Sequence, residues 1–397
     1  MTNIKYDYLF YFILSILVVI LIYASNTLSI SYKEALNVFE NSSVLTYITK
    51  TSIYIFGQND IALRLPFIVF YTLSVLLMYK LTLNYFKYKK DQFLSILIFM
   101  ILPGVLSASL LVNSAIVVLF FTLLYIYIYE KNKEHPIWLL FLLVFIDNSF
   151  AIFFLALFFF SLKEKEKKLI YLSLFLFSLS MYIYGFQTEG KPKGYFLDTF
   201  AIYATIFSPL MFIYFIYTIY RAGIKNERTF VWYISTTALL VSLLFSFRQR
   251  VYIEDFAPYV VISIPFMLKM FYHSYRVRLS VFRRKHYILG LIVLFMLLVN
   301  CLLTIINKPL YLFLPDEKKH FAYKYHFAKD IASKLKSYGI NKINVNDERL
   351  QLRLKYYGIE KGNQFYVSKN KNENVIKTLI ISYYNKELIK LYIYEKK

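Results

Sequence analysis

Long apolar runs separated by short polar segments make up most of the chain. A helix needs about 20 consecutive apolar residues to cross the hydrocarbon core of a bilayer. Runs of this kind occupy residues 8–24, 65–84, 92–112, 114–129, 137–162, 169–185, 200–220, 230–247, 257–272 and 287–306. The pattern therefore predicts a polytopic α-helical membrane protein.

The basic residues between these runs indicate which loops face the cytoplasm. Lysine and arginine accumulate in the short cytoplasmic loops of membrane proteins. The basic loops contain Lys87, Lys89 and Lys90; Lys131 and Lys133; residues 163–168; Arg221, Lys225 and Arg228; and Arg276, Arg278, Arg283, Arg284 and Lys285. All five loops are predicted to be cytoplasmic.

The run at 137–162 decides how the loops alternate between the two sides. A single crossing would put the basic loops at 130–136 and 163–168 on opposite sides of the membrane. The run would also be about 39 Å long as one helix, and it carries Asp147 and Asn148 near its middle. We therefore expect two short helices that form a re-entrant pair, about eleven spans in total, a cytoplasmic N-terminus and a C-terminus on the outer side.

The chain becomes polar after the last apolar run and is then rich in Lys, Asn and Glu. The elements predicted there are a helix at 326–339 with Gly339 at its C-cap, a helix at 348–358, and strands at 364–368 and 378–384. We expect a transmembrane domain at 1–306, with its first periplasmic loop at 25–64, and a small periplasmic α/β domain at 316–397.

Composition and charge exclude several classes of function. The chain of 397 residues is 58% hydrophobic and 20% aromatic, and 46 Lys and Arg against 24 Asp and Glu give a net charge of +22. Because the basic residues lie in loops between spans, the charge indicates topology, and no nucleic-acid partner is predicted. The single cysteine, Cys301, gives no disulfide, and the five histidines lack metal-ligand spacing. No phosphate-binding or dinucleotide glycine motif is present, so no metal and no cofactor is expected.

One segment carries a family resemblance. Residues 45–86, and within them "IFGQNDIALRLP" at 55–66, resemble the stretch after the first loop of GT-C membrane glycosyltransferases of the protein O-mannosyltransferase and lipid A aminoarabinose transferase type. Weaker similarity continues through 111–132, through 145–165, where the family has a broken helix pair, and through 247–271. The resemblance implies transfer of a sugar from a polyprenyl-phosphate donor to a glycolipid, glycan or protein acceptor, on the periplasmic face of a bacterial inner membrane.

The resemblance also points to candidate acids. The family carries an Asp-Glu pair in its first loop, where this chain has Lys33 and Glu34, and often an acid where this chain has Asn113. Glu34 is predicted to be the base that deprotonates the acceptor, and Glu40 is a second candidate. The alternative is that Glu34 pairs with Lys33 or with solvent.

Asp147 is a further candidate, because carboxylates inside a membrane are costly and often functional. The alternative there is a polar turn at the periplasmic mouth of the helix pair.

The leaving phosphate needs cations. Arg248 and Arg250 lie at the outer end of a predicted span, and guanidinium groups match phosphate oxygens. Lys50 in the first loop is a third candidate. The alternative is that the two arginines form an ion-pair network with Glu254 and Asp255 that anchors the loop.

Two further groups of basic residues lie outside these assignments. Arg64 precedes Pro66 at the start of the second run and is expected to cap the helix, to snorkel or to brace the fold. Lys191 and Lys193 lie in a polar loop that is either a cover over the site or simply solvated.

Three functions remain from the sequence. The first is a glycosyltransferase that uses a lipid-phosphate donor. The second is a catalytically inactive polyprenyl-phosphate binding or assembly protein, since Lys33 and Asn113 stand where the family often has acids. The third is a transporter of a lipid-linked substrate, which the polar C-terminal segment and the lack of sequence repeats disfavour.

Overall fold

A computed structural model describes residues 2–83, 85–185, 194–225, 227–368 and 375–395, with side chains from residue 5 onward. The chain divides into two compact units, which we call the membrane unit and the α/β unit. The membrane unit consists of Met1–Val18, Phe67–Ser109 and Asn113–Thr304, and the α/β unit of Val19–Pro66, Leu110–Val112 and Ile305–Lys397.

Helices account for most of the described residues. In chain order they are α1 (Thr2–Thr27), α2 (Tyr32–Phe39), α3 (Val44–Phe56), α4 (Asp60–Thr82), α5 (Lys89–Met100), α6 (Pro103–Leu110), α7 (Ala115–Asn132), α8 (Ile137–Ile146), α9 (Phe150–Glu164), α10 (Lys167–Tyr184), α11 (Phe196–Phe207), α12 (Pro209–Ile224), α13 (Phe230–Ser246), α14 (Ala257–Val261), α15 (Ile264–Val277), α16 (Ser280–Ile305), α17 (Ala328–Ser337) and α18 (Glu348–Tyr356). The prediction of a polytopic helical membrane protein is confirmed at this level.

By length and apolar composition, four helices in the described part of the chain can cross a membrane. They are Lys5–Thr27 within α1, α4, α7 and α16. The pairs α5–α6 and α11–α12 raise the number to as many as six if each counts as one span. The count of eleven spans stays a prediction.

Two of the apolar runs, 92–112 and 200–220, are bent. The α5–α6 pair bends by 49° and the α11–α12 pair by 103°. Pro103 and Pro209 each begin the second helix of their pair, where proline lacks the N–H of a continuing helix. Ser208 also has a positive φ of 75°, which ends α11 before Pro209. The apolar run at 200–220 continues through the bend at Ser208, so the run did not reveal that bend.

The break inside 137–162 lies where the sequence predicts it. Helix α8 ends at Ile146 and α9 begins at Phe150. Asp147 between them has an extended backbone, and its carboxylate accepts a hydrogen bond from the Ser149 N–H at 3.0 Å. The re-entrant course of this pair through a membrane stays a prediction.

The α/β unit contains a four-stranded sheet. Its strands are β1 (Asn344–Val345), β2 (Phe365–Ser368), β3 (Val375–Tyr383) and β4 (Lys386–Glu395), in the order β1-β2-β4-β3. The β1–β2 pair is parallel, and β4 pairs antiparallel with both β2 and β3. Leu335 of α17, Leu354 of α18 and Leu379 and Ile393 of the sheet are buried in one core.

The first loop belongs to the same compact unit as the sheet. The unit includes residues 19–66, with helices α2 and α3, as well as the chain from Ile305 onward. Ser31 and Ser43 cap α2 and α3, each in a reciprocal capping box. The side chains of Asn37, Thr46 and Thr49 are buried and hydrogen-bonded to one another between the two helices.

Candidate functional site

Glu34 is buried at the third position of α2, with 2% of its surface exposed. Its Oε2 accepts the Ser31 N–H at 2.8 Å and the Arg64 guanidinium at 3.1 Å. Its Oε1 accepts the Val112 N–H at 3.1 Å. Both carboxylate oxygens are therefore occupied by donors from three separate parts of the α/β unit.

Arg64 is fully buried near the start of α4. Its Nη1 donates to the carbonyl oxygens of Ser25 and Leu28 at 3.1 and 2.9 Å. Its Nη2 donates to the Ser29 carbonyl oxygen at 3.1 Å in addition to Glu34. One guanidinium group thus ties the start of α4 to the chain that leads into α2.

Asp60, one helical turn before Arg64, completes a group that we call the acid–arginine cluster: Glu34, Asp60 and Arg64. Asp60 Oδ1 lies 3.9 Å from Arg64 Nη1 and accepts the Tyr357 hydroxyl at 2.6 Å. Its Oδ2 lies 2.9 Å from Lys329 Nζ. Because a buried charge is costly unless it is paired and hydrogen-bonded, these contacts explain how both carboxylates are accommodated.

Helix α18 adds two side chains to this region. The Tyr357 hydroxyl, just after α18, also accepts the Ile30 N–H at 2.9 Å. Burial, followed by the charge of Asp60, raises the pKa of Tyr357, so the hydroxyl stays protonated and donates to that carboxylate. Arg353 donates to the carbonyl oxygens of Ile30 and His326, both at 2.7 Å. The segment around residues 29–31 is therefore held by α18 as well as by Arg64.

These contacts define what Glu34 can do in this conformation. An acceptor hydroxyl would have to displace the Ser31, Arg64 or Val112 donor to reach the carboxylate. The geometry suits a positioning residue that fixes the start of α2, and it gives no support to direct proton abstraction by Glu34. The alternative pairing with solvent does not occur, since the side chain is buried.

The other candidates of the first loop lie on the surface of the α/β unit. Lys33 is exposed beside Glu34, and Glu40 is exposed at the C-cap of α2. Lys50 is exposed on α3. These side chains can meet a substrate without any rearrangement of the buried cluster.

The remaining candidates belong to the membrane unit. Arg248 and Arg250 follow α13 and are both exposed. Asp147 and Asn113 are half-buried, and the Asn113 Oδ1 accepts the Ala115 N–H at 3.1 Å at the start of α7. Lys191 and Lys193 lie outside the described residues.

Sequence reasoning overlooked most of the partners in the acid–arginine cluster. Arg64 was expected to cap, to snorkel or to brace the fold, and its buried contacts are those of a brace, but Asp60, Tyr357 and Arg353 were not singled out. The spacing of Asp60 four residues before Arg64 is a local signal that could have revealed the ion pair. The role of α18 could not be found this way, because Tyr357 is 297 residues from Asp60.

No group of three or more His, Cys, Asp or Glu side chains that could hold a metal ion occurs among the residues that the structure describes. The prediction that no metal is needed stays a prediction.

Residues 41–147 match the sequence model of the family described as dolichyl-phosphate-mannose-protein mannosyltransferase. This match confirms the resemblance to GT-C membrane glycosyltransferases over that part of the chain, which runs from the end of α2 to the break after α8. The matched segment includes Asp60 and Arg64 of the acid–arginine cluster, as well as Lys50, Asn113 and Asp147. A search of curated proteins gave no match.

Proposed function

We propose that the chain is a GT-C-type membrane glycosyltransferase that moves a sugar from a polyprenyl-phosphate donor to a glycolipid, glycan or protein acceptor. The observation that carries this proposal is the match of residues 41–147 to a mannosyltransferase family. The apolar helices support a membrane location. We place the reaction on the periplasmic side of a bacterial inner membrane, since the basic loops are predicted to face the cytoplasm.

The role of Glu34 in this proposal is to position the first loop. Its carboxylate and the Arg64 guanidinium fix residues 25–34, so the exposed face of α2 keeps one orientation. For Glu34 to act as the base itself, substrate binding would have to release at least one of its three donors. The two roles differ in outcome, because a positioning residue affects the stability of the protein as well as its turnover.

Glu34→Gln in purified protein tests this assignment. The amide of Gln keeps one acceptor oxygen, but its NH2 group replaces the other oxygen and faces a group that is itself a hydrogen-bond donor. We therefore expect a lower thermal midpoint together with reduced sugar transfer. Glu40→Gln is the matched control on the same helix, and we expect it to leave the thermal midpoint unchanged. Loss of transfer by Glu34→Gln at an unchanged midpoint would favour Glu34 as the base.

The phosphate of the donor is assigned to Arg248 and Arg250, with Lys50 as a further cation. All three are exposed and therefore available to a ligand. Binding of polyprenyl phosphate to purified protein tests this role: Arg248→Gln and Arg250→Gln should each weaken binding about tenfold, as expected for loss of a charge-assisted hydrogen bond. Arg284→Gln, an exposed arginine near the start of α16, should not. Unchanged binding by both variants would remove these arginines from the donor site.

A second candidate function is a polyprenyl-phosphate binding protein without catalysis. The observation that favours it is that the exposed residue beside Glu34 is Lys33, a cation where the resemblance implies an acid. Lys33→Asp separates the candidates. If the chain has lost its base at this position, sugar transfer should be absent in the parent protein and appear in the variant. Transfer by the parent protein excludes the second candidate.

A further inference from the structure

The membrane unit contains a basic cavity that none of the roles above uses. It has a volume of about 770 Å³ and lies among the chain at 85–91, residues 221, 225 and 227–229, and helix α15. Six basic side chains line it against two carboxylates, Asp91 and Glu227. The six are Lys87, Arg221, Lys225, Arg228, Lys269 and Arg276. The cavity therefore carries an excess of positive charge.

The charge excess is not cancelled within the cavity. The carboxylate of Asp91 is 5% exposed and is paired with the Arg276 guanidinium. That pair leaves Glu227 as the remaining carboxylate of the lining against five basic side chains. An anion in the cavity would thus meet several cations without displacing a buried ion pair.

Lys269 is the least expected of these cations. It lies within α15 between Leu268 and Met270, which are both buried. Its ammonium sits 4.1 Å from the centre of the Tyr85 ring, a cation–π contact that keeps the charge at the cavity. The Lys269 side chain is exposed, so its charge is available to an anion in the cavity.

Part of the cavity lining is apolar. Phe266 and Met270 line the cavity and belong with Ala222 to a buried cluster, against which Tyr85 and Trp232 pack. A lining that combines cations with apolar side chains suits a ligand that joins a phosphate to hydrocarbon. A free inorganic anion would gain nothing from the apolar part.

The surroundings of the cavity indicate a lipid. Directly after Arg276 the chain exposes Val277, Leu279 and Val281, each by 72–73% of its surface. Such apolar exposure next to a row of arginines is typical of a segment at the boundary between hydrocarbon and head groups. Basic pockets between membrane helices on the cytoplasmic side are suited to lipid phosphate groups.

We propose that the basic cavity binds the phosphate head group of an anionic phospholipid from the leaflet that the basic loops face. The cations hold the phosphate, and Phe266 and Met270 contact the glycerol and the start of the acyl chains. This site is independent of the proposed sugar transfer. Its lipid anchors the membrane unit and is not a substrate.

Purified full-length protein in phospholipid nanodiscs tests the proposal. Binding of labelled phosphatidylglycerol should be about tenfold tighter than that of phosphatidylcholine. Lys269→Gln and Lys225→Gln should each weaken phosphatidylglycerol binding about fivefold, the effect expected from loss of one cation near a lipid phosphate. Lys285→Gln, an exposed lysine near the start of α16 that does not line the cavity, should leave binding within about twofold of the parent protein.

Three outcomes would overturn the proposal. Equal affinity for phosphatidylglycerol and phosphatidylcholine would remove the requirement for an anion. Unchanged binding by both Lys269→Gln and Lys225→Gln would place the lipid elsewhere. Competition by glycerol 3-phosphate at the same concentration as the lipid would identify a soluble phosphate ligand. Arg276 is left intact in these variants because it pairs with Asp91, and the thermal midpoint of each variant checks that it is folded.

Discussion

The side chain of Arg64 has no exposed surface. The two terminal nitrogens of its guanidinium group donate hydrogen bonds to three carbonyl oxygens and to the Glu34 carboxylate. We expect Arg64→Met to lower the stability of the protein by about 3–5 kcal/mol, because removal of one partner leaves a buried carboxylate without its counter-charge. Thermal unfolding in detergent measures this effect. The exposed Lys336→Met in the same unit is the control and should change stability by less than about 0.5 kcal/mol.

A milder substitution refines that prediction. Arg64→Lys keeps the charge, but an ammonium cannot reproduce the fork that reaches Ser25, Leu28 and Ser29. We expect the thermal midpoint of Arg64→Lys to lie between those of the parent protein and Arg64→Met. Stability equal to that of the parent protein would mean that charge alone, and not the geometry of the hydrogen bonds, holds the loop.

His326 makes the α/β unit sensitive to acid. Burial, together with electrostatic interactions with His320, Lys308 and Arg353, lowers the pKa of its imidazole from 6.5 to about 3. The neutral ring is hydrogen-bonded through Nδ1 to the Tyr311 hydroxyl at 2.8 Å. In the unfolded chain the imidazole is protonated as the pH falls below 6.5, whereas in the folded protein it stays neutral until the pH approaches about 3. The contribution of His326 to the free energy of unfolding is therefore fully present above pH 6.5 and is lost as the pH falls from 6.5 toward 3.

The expected loss between pH 7 and pH 5 is about 2 kcal/mol, from the size of the pKa difference. The thermal midpoint measured across this range should fall less steeply in His326→Gln than in the parent protein. The exposed His273→Gln serves as the control and should keep the parent slope. Identical slopes for His326→Gln and the parent protein would contradict the assignment.

The sequence could locate Glu34 but not its surroundings. The residue was singled out through a family resemblance, and its neighbourhood in the chain suggested an exposed loop. Its partners Arg64 and Val112 are 30 and 78 residues away, and no local pattern connects them to it. Burial of Glu34 is a tertiary property, which is why a predicted surface acid became part of a buried cluster.

At the scale of elements, local periodicity predicted most of the helices and strands after residue 326. Helices α17 and α18 and strands β2 and β3 lie within or close to the predicted segments. Strand β4 was missed, although it pairs with both β2 and β3. Lys386, Glu387 and Lys390 occupy its exposed or half-buried positions and interrupt the apolar run, while Leu388 and Leu391 are buried. The charged residues thus hid the pattern of buried and exposed positions along β4 from the sequence analysis.

The close approach of α6 and α11 depends on Gly104. A Cβ at this position would lie 2.4 Å from Ile206 Cγ2 and 3.1 Å from Ile206 Cβ. We expect Gly104→Ala to cost about 1–3 kcal/mol, the usual penalty for overpacking. Gly194→Ala is the matched control, since a Cβ there meets nothing within 4 Å.

A double variant checks the cause of that loss. Ile206→Ala removes the branched carbon atoms that Gly104→Ala would meet, so the two changes together should be less destabilising than the sum of the single changes. The thermal midpoints of the four proteins give this coupling. If the destabilisation by the double variant equals the sum of the two single effects, steric contact with Ile206 is not the cause of the loss in Gly104→Ala.

At the scale of the whole molecule, the orientation in the membrane follows from the basic loops. The described helices establish that the chain can cross a membrane several times, but they carry no information about which side faces the cytoplasm. The positive-inside rule supplies it: Lys131 is predicted to be cytoplasmic, and Lys361 in the α/β unit is predicted to be periplasmic. The proposed sugar transfer outside the cytoplasm depends on this orientation.

Cysteine labelling in spheroplasts tests the orientation. Cys301 is buried, and Cys301→Ser gives a background without thiols, since it is the only cysteine of the chain. In that background Lys361→Cys should react with a membrane-impermeant maleimide in spheroplasts, whereas Lys131→Cys should react only after the membrane is permeabilised. Both lysines are exposed, so a difference in labelling reports the side of the membrane and not burial. Protection of both positions in intact spheroplasts, or labelling of both, would place the two lysines on the same side and would mean that the re-entrant pair at 137–162 and the parity derived from it are wrong. The reverse pattern would mean that the predicted orientation is inverted.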